Sequence, residues 1–328
     1  MTKTLLKKNK KDKQPTTRDI NKLVNFVKDI SGHVRTEFVS HYQTAQLGMY
    51  SGTIGKGGDY TKQGDALVEQ ILETAFHEHL ALYGITNAFI ISEERGQWFA
   101  NSISQYSDDD IFCIIDPLDG SHNLRRHETP KPHISFCIGC GYVQDLFLQG
   151  NFDAVAVGLV EDMFYADQYV GIRGHGSFLN GVTIHGSPLD KLEDSVIGMS
   201  LDHKGEKLGK MFDSGMMDIL KHTSSQRRLG STALDLCQVA TGDYDAHVSL
   251  SGGVKIHDIA AAQLILREAG CVISLREDNS SWRKIDDVVS LLKDYVHGGD
   301  ASVSSMKFQL VASGNKDIHQ KVISLIEA

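Results

Sequence analysis

The chain has 328 residues, of which 41% are hydrophobic and 23% charged, a composition typical of a globular protein. Acidic residues outnumber basic ones by 42 to 33, and the net charge of −9 argues against nucleic acid as a partner and favours small cations. No apolar run approaches the roughly 20 residues that a membrane span requires, so no membrane association is expected.

The beginning of the chain is basic. Its first 13 residues contain six Lys and one Asp and lack the apolar segment of a signal peptide. We therefore expect residues 1–17 to form a disordered basic arm. Most of the five cysteines lie in apolar stretches and are expected to be free buried thiols, as in a cytoplasmic protein.

Residues 18–194 are predicted to form an N-terminal α+β subdomain. Apolar residues at helical spacing predict helices over 18–48 and 65–82, with a glycine-rich loop between them. Short apolar runs predict strands at 88–92, 111–115, 133–143 and 153–162, and glycines among β-forming residues then predict hairpins. These elements indicate an antiparallel sheet with helices.

Residues 195–328 are predicted to form a C-terminal α/β subdomain. Strands are expected at 195–201, 244–250, 271–276 and 308–313, and helices at 209–222, 231–242, 257–270 and 315–327. Such alternation is typical of a layered α/β structure. The polar stretch at about 277–307 is interpreted as an insertion.

Four acidic residues lie where predicted strands end or helices begin, which is where sites are commonly built. Glu93 and Asp116 end strands, Asp119 follows in the next turn, and Asp258 opens a helix. Each alone has an ordinary explanation as a turn or helix-cap residue. Carboxylates brought together repel one another unless they are neutralised, and hard oxygen ligands suit Mg²⁺. Jointly they predict a metal site.

Four segments resemble, in order, the signatures of the inositol monophosphatase superfamily: GDYTKQGDALVEQIL, ISEE, DPLDGSHN and KIHDIAAAQLILREAG. The resemblance extends over roughly 56–275 and 308–328. Members are Mg²⁺-dependent, often lithium-sensitive phosphatases, which include archaeal-type fructose-1,6-bisphosphatases and 3′-phosphonucleotide phosphatases. The resemblance implies a layered αβαβα sandwich and a phosphoric monoester hydrolase, with site residues drawn from both halves of the chain.

The resemblance also assigns roles to particular residues. It implies that two or three Mg²⁺ ions are held by Glu93, Asp116, the backbone carbonyl of Leu118, Asp119 and Asp258. In that scheme Asp116 bridges two ions, and Glu93 also faces a third, weaker one. Asp65, Glu93 and Ser121 are the implied catalytic residues, with Asp65 and Ser121 orienting and deprotonating the attacking water. The substrate contacts are expected at Gly120, Ser121, Gly230, Ser231 and Lys255.

The chain departs from the family pattern in two places. Where members often have Trp-Asp before the last of these helices, this chain has His257 and Asp258. Inositol-specific members have a Glu seven residues before that Asp, and here the position is Ser251. This weakens an assignment to inositol monophosphate, and Lys255 is then available to a second phosphate group.

We expect a Mg²⁺-dependent phosphomonoesterase for a small phosphorylated polyol or sugar, inositol monophosphatase-like. The alternatives are a 3′-phosphoadenosine 5′-phosphate phosphatase, a fructose-1,6-bisphosphatase, and a catalytically silent protein that only binds phosphate ligands. Homodimers are common among relatives, so a homodimer is a further expectation.

Overall fold

The computed structural model describes residues 19–42, 47–55, 60–101, 110–124, 131–149, 152–201, 206–277, 280–285 and 307–327. The predicted basic arm at 1–17 lies outside the described residues, as does most of the predicted insertion at 277–307.

The helices are α1 (Ile20–Tyr42), α2 (Gln63–Leu82), α3 (Val143–Gln149), α4 (Glu206–Met211), α5 (Met217–His222), α6 (Thr232–Thr241), α7 (Ile256–Ile259), α8 (Ala262–Glu268) and α9 (Lys316–Glu327). The strands are β1 (Tyr50–Ile54), β2 (Tyr60–Lys62), β3 (Ala88–Ser92), β4 (Gly96–Phe99), β5 (Ile111–Asp119), β6 (Ser135–Tyr142), β7 (Val157–Asp162), β8 (Gln168–Ile172), β9 (Gly176–Leu179), β10 (Val182–Ile184), β11 (Val196–Met199), β12 (Ser225–Arg227), β13 (Ala246–Val254), β14 (Val272–Arg276), β15 (Arg283–Lys284) and β16 (Phe308–Ser313).

An eight-stranded sheet forms the centre of the first half, in the order β10-β9-β8-β7-β6-β5-β3-β4. Its neighbouring strands are antiparallel as predicted, except for β3 and β5, which are parallel. The exception arises because β4 folds back on one side of β3. The next strand, β5, pairs on the other side and runs in the same direction as β3.

A six-stranded sheet, in the order β12-β11-β13-β16-β14-β15, forms the second half. Strand β11 is parallel to both of its neighbours, and the other pairs are antiparallel. Strand β15 lies within the predicted insertion, so the start of that segment extends the sheet.

Three hydrophobic clusters define five layers. One buries the inner faces of α1 and α2 against the eight-stranded sheet, as with Phe26 and Phe76. Another fills the space between the two sheets with side chains of α6 and α8, including Leu236 and Ile265. A third packs α5 and α9 on the outer face of the six-stranded sheet, as with Val322. The predicted αβαβα sandwich is therefore confirmed.

Glycines on three adjacent strands bring α7 and α8 close to the eight-stranded sheet. A Cβ added at Gly139, Gly158 or Gly171 would lie 2.5–3.1 Å from backbone atoms of Ala260, Ala261 or Ile265. Any larger residue would push the helices away from the sheet. The close approach fixes the height of Asp258 above β5.

Two predicted helices are interrupted. The one expected at 257–270 is divided into α7 and α8, and the one expected at 209–222 contains a π-helical turn at Phe212–Met216 between α4 and α5. Helix α3 and strand β4 were not anticipated, because short segments carry too few residues for a clear hydrophobic period.

All five cysteines are buried and free, as expected. Cys137 and Cys140 lie three residues apart in β6 and contact different cores, as the alternation of side chains along a strand requires. The part of the chain that the structure describes holds no helix both long and apolar enough for a membrane span.

Candidate metal centre

Two of the predicted acidic residues meet because β3 and β5 are parallel. Ser92 pairs with Ile115, and the backbone N–H of Glu93 donates to the carbonyl of Ile115 at 3.2 Å. Glu93 therefore leaves β3 beside Asp116, which is buried in β5. Residues 23 apart in sequence become neighbours through one strand pairing.

Asp258 reaches the same place from the opposite layer. It lies in the first turn of α7, and its Oδ2 accepts the backbone N–H of Lys255 at 2.8 Å. Carboxylate oxygens of Glu93, Asp116 and Asp258 lie within 4.8 Å of one another. We call these three residues the carboxylate cluster.

Asp119 stands next to the cluster but faces α6. Its Oδ2 accepts the hydroxyl of Ser231 at 2.5 Å and the backbone N–H of Ala233 at 2.7 Å. Ser231 is the N-cap of α6 and also accepts the N–H of Leu234. One oxygen of Asp119 is thus held by the start of a helix, where a negative charge is favourable.

The turn that follows Asp116 packs tightly against the start of α6 at Ser231. The backbone N–H of Leu118 donates to Oδ1 of Asp116 at 2.9 Å. Gly120 has φ +83°, and a Cβ there would lie 2.9 Å from Cβ of Ser231 and 3.0 Å from the carbonyl oxygen of Gly230. Only glycine suits this conformation and this close contact, so α6 can approach β5.

Burial and mutual repulsion oppose ionisation of these acids. Burial raises the pKa of Asp116 well above its usual range, and the charges of Glu93, Asp119 and Asp258 raise it further. The pKa of Asp258 is raised for the same reasons, burial first. Burial raises the pKa of Asp119 to about 6, against the hydrogen bond from Ser231, which lowers it.

Two lysines point into the same region. The ammonium of Lys255 lies 2.6 Å from Oε1 of Glu93, and that of Lys62 lies 3.2 Å from the hydroxyl of Ser121. Both lysines are buried. Lys255 was predicted as a substrate contact, whereas Lys62 was not singled out from the sequence.

The residues present fit a divalent cation. Three carboxylates within 4.8 Å of one another, with raised pKa values for Asp116 and Asp258, are a charge arrangement that a cation would relieve. The donors are all oxygen, as Mg²⁺ requires. Glu93 and Asp258 are only partly buried, which leaves the cluster open on one side.

Comparison with known proteins decides the family. The model of the inositol monophosphatase family matches residues 19–328. The chain belongs to the inositol monophosphatase family. Membership confirms the predicted enzyme class, a phosphoric monoester hydrolase, and the family is in general metal-dependent.

Among curated relatives of this family member, the fructose-1,6-bisphosphatase/inositol-1-monophosphatase of Methanothermobacter thermautotrophicus is 31% identical over 238 residues, covering 73% of this chain and 75% of the relative. The Nus factor SuhB of Haemophilus influenzae is 27% identical over 229 residues, covering 70% and 75%. In fold, the chain resembles the extragenic suppressor protein suhB from Bartonella henselae. The TM-score is 0.67, the identity 21%, and 93% and 98% of the two chains are covered.

The structure of this inositol monophosphatase family member places the other predicted site residues around the cluster. Gly120, Gly230 and Ser231 form the contact between the turn after β5 and the start of α6. Asp65 lies in the first turn of α2, where its Oδ2 accepts the backbone N–H of Lys62 at 2.8 Å. Burial raises the pKa of Asp65 to about 7. Lys62 therefore links the predicted pair, since its backbone binds Asp65 and its ammonium contacts Ser121.

Two positioning residues were missed by sequence reasoning. Asn123 donates from Nδ2 to the carbonyls of His133 and Leu229, at 2.7 and 2.9 Å, and so ties the turn after β5 to the segment before α6. Lys62 was also missed, although the sequence repeats a short pattern that could have identified it. The segments KQGD and KIHD both begin with Lys and place Asp three residues later.

Proposed function

We propose that the chain is a Mg²⁺-dependent phosphomonoesterase that hydrolyses a small phosphorylated polyol or sugar. The observation that carries this proposal is the carboxylate cluster, whose three members come from β5, α7 and the end of β3 and whose oxygens lie within 4.8 Å of one another. All five ligand positions implied by the family pattern are retained in the sequence.

When bound, Mg²⁺ would supply a Lewis acid and lower the pKa of a nearby water. We infer that Glu93, Asp116 and Asp258 would hold it, together with Asp119 and the carbonyl of Leu118. Ser231 and the N-terminus of α6 hold one oxygen of Asp119 in place, which leaves its other oxygen for the ions.

The remaining residues would bind the substrate and orient the attacking water. Gly120 and Ser121 begin the turn beside the cluster, and we infer that the phosphate group of the substrate docks there. The hydroxyl of Ser121 is the group that orients the attacking water, with Lys62 and Asp65 behind it. The buried Asp65, with its pKa raised to about 7, is suited to take a proton near neutral pH.

The alternative substrates differ in the groups that they carry besides the phosphate that is hydrolysed. A second phosphate group, as in fructose 1,6-bisphosphate or 3′-phosphoadenosine 5′-phosphate, calls for further positive charge. Among the described residues, Lys62 and Lys255 are the buried lysines of the site, and both are engaged within it. We therefore infer a monophosphate of a polyol or sugar as the preferred substrate, and propose that the enzyme acts in the cytoplasm as a homodimer.

The test is release of inorganic phosphate with and without Mg²⁺ from inositol 1-phosphate, fructose 1,6-bisphosphate and 3′-phosphoadenosine 5′-phosphate. We expect Mg²⁺-dependent release, fastest from the monophosphate. A faster reaction with either doubly phosphorylated ester would replace the substrate assignment. Silence on all three by folded protein would favour the role of a phosphate-binding protein.

A further inference from the structure

The buried lysines of the site share one construction. Lys62 and Lys255 each occupy the N-cap of a helix, α2 and α7, and an Asp at the third helical position accepts the backbone N–H of each. The side chain of each lysine then runs into the site. The cap fixes the backbone from which each side chain starts, and the ammonium groups are held by Ser121 and Glu93.

Lys255 contacts the carboxylate cluster from two directions. Its backbone N–H binds Oδ2 of Asp258 at 2.8 Å, and its ammonium lies 2.6 Å from Oε1 of Glu93. The side chain of Lys255 is only 4% exposed and that of Glu93 17%. The Coulomb attraction within an ion pair so shielded from water is larger than at the surface, and removal of one partner would leave the other as an uncompensated buried charge.

The resemblance to the family also implies that the number of metal ions depends on Glu93. The family pattern allows two or three ions, and the third, weaker one is expected at Glu93. A cation binding Oε1 must share this oxygen with the ammonium or displace it. Both outcomes weaken such an ion, since like charges at one carboxylate oxygen repel each other.

We propose that Lys255 is a built-in cation of the site, which neutralises Glu93 and takes the place of the third metal ion. The protein then binds two Mg²⁺ ions, not three. This inference rests on the proposed function, because it specifies how that metal site is filled. The ammonium supplies one of the two positive charges that a third Mg²⁺ would bring, and it does so from within the chain.

The test counts bound ions directly, with Mn²⁺ as a paramagnetic substitute for Mg²⁺ and electron paramagnetic resonance of free Mn²⁺ as readout. The full chain is compared with Lys255→Met, which keeps the length of the side chain and removes its charge. We expect two ions on the wild-type chain. On Lys255→Met we expect a third ion, or about a tenfold gain in affinity at the weakest site, because affinity follows the net charge of the ligand set.

Two further variants complete the design. Lys255→Arg retains the charge and should bind two ions, as the wild type does. Lys221→Met removes a surface lysine whose partner is Asp218 and should leave the count unchanged. Circular dichroism checks that each variant is folded.

Three ions on the wild-type chain would overturn the inference whatever the variants do. An identical binding curve for wild type and Lys255→Met would also overturn it. The phosphate-release assay separates this outcome from the proposed function. If the wild-type chain hydrolyses an ester and binds three ions, the proposed function stands and the role of Lys255 is wrong. If it binds two ions and hydrolyses none of the esters, the role of Lys255 stands and the proposed function is wrong.

Discussion

The ammonium of Lys255 lies 2.6 Å from Oε1 of Glu93, although 162 residues separate them along the chain. This pair joins the end of a strand in one sheet to the segment that follows β13 in the other. It also determines the charge balance of the site, since one lysine is paired within a cluster of three carboxylates. With one ammonium against three carboxyl groups, the cluster still favours a bound cation, and the first two predictions below depend on this.

Replacing Asp116 by Asn should nearly abolish turnover and leave the fold intact. Loss of groups that merely orient metal ligands costs ~10–100-fold in activity, so loss of this ligand should cost at least ~100-fold. Without metal, Asp116→Asn should melt no lower than the wild type, because it removes an acid whose ionisation is opposed by burial and by its acidic neighbours, with the neutral amide in its place. Asp218→Asn, at an exposed ion pair, is the control. Activity retained in Asp116→Asn would show that Asp116 is not a ligand.

Addition of Mg²⁺ should raise the melting temperature of the wild-type chain, and removal of the metal by EDTA should lower it again. A ligand that binds only the folded state stabilises it, by ~2.7 kcal/mol at a concentration 100 times its dissociation constant. Differential scanning calorimetry of wild type and Asp116→Asn checks this. An equal rise in both proteins would mean that the ion binds elsewhere.

Ser231→Ala should lower both stability and metal affinity. The hydroxyl caps α6 and donates to Asp119, so its loss should cost about 1 kcal/mol of unfolding free energy. Asp119 would then lose one of its restraints, which should weaken metal binding ~10–100-fold. Urea denaturation and Mn²⁺ titration measure the two effects. Ser324→Ala, on the exposed face of α9, should change neither, and unaltered metal affinity in Ser231→Ala would contradict the role given to the hydroxyl.

His257→Phe should stabilise the protein. His257 is fully buried, neither ring nitrogen has a hydrogen-bond partner among the described residues, and burial lowers its pKa to about 4. Unsatisfied buried polar groups cost about 1–3 kcal/mol, and a ring of similar shape without them should recover part of this. His247→Phe should gain less, because it removes the 3.3 Å contact with the hydroxyl of Ser200. Urea denaturation ranks the two variants, and the reverse order would count against this account.

Stability of the metal-free protein should fall as the pH rises from about 5 to 8, in part because of Glu69. Burial raises the pKa of Glu69 to about 8, with a further increase from the charge of Glu94. The folded state thus keeps a proton that the unfolded state releases near pH 4.5, so stability is greatest below that pH and is lost as the pH passes the higher value.

Glu69→Gln should flatten this decline in a series of thermal or urea melts across the pH range. The control is Glu73→Gln in the same helix, where the carboxylate is exposed and paired with Arg95. An equally steep decline in Glu69→Gln would assign the pH dependence to other groups.

Much of the architecture was predictable from the sequence, because long periodic segments report the face that they bury. The helix predicted over 18–48 from its hydrophobic spacing is found at Ile20–Tyr42, and the strand predicted from the apolar run at 88–92 is found at Ala88–Ser92. Short elements such as β4 and α3 were not predicted. The interruption between α7 and α8 was also missed, because a continuous helical pattern runs through Ile256–Glu268 and does not show where the backbone departs from it.

By itself, the sequence determined the set of acidic residues at the ends of predicted elements, which is a local pattern of residue type and spacing. Its resemblance to family signatures determined the family and, with it, the layered fold. Only the tertiary structure decided how the acids meet. The parallel pairing of β3 with β5 brings Glu93 to Asp116, and the glycines that face α8 and the turn before it let the segment with Asp258 approach both. It also decided that Lys62 and Lys255 turn inward. Strand order and helix packing between distant segments decide which charged side chains are buried together. Neither can be predicted from the local spacing of residues.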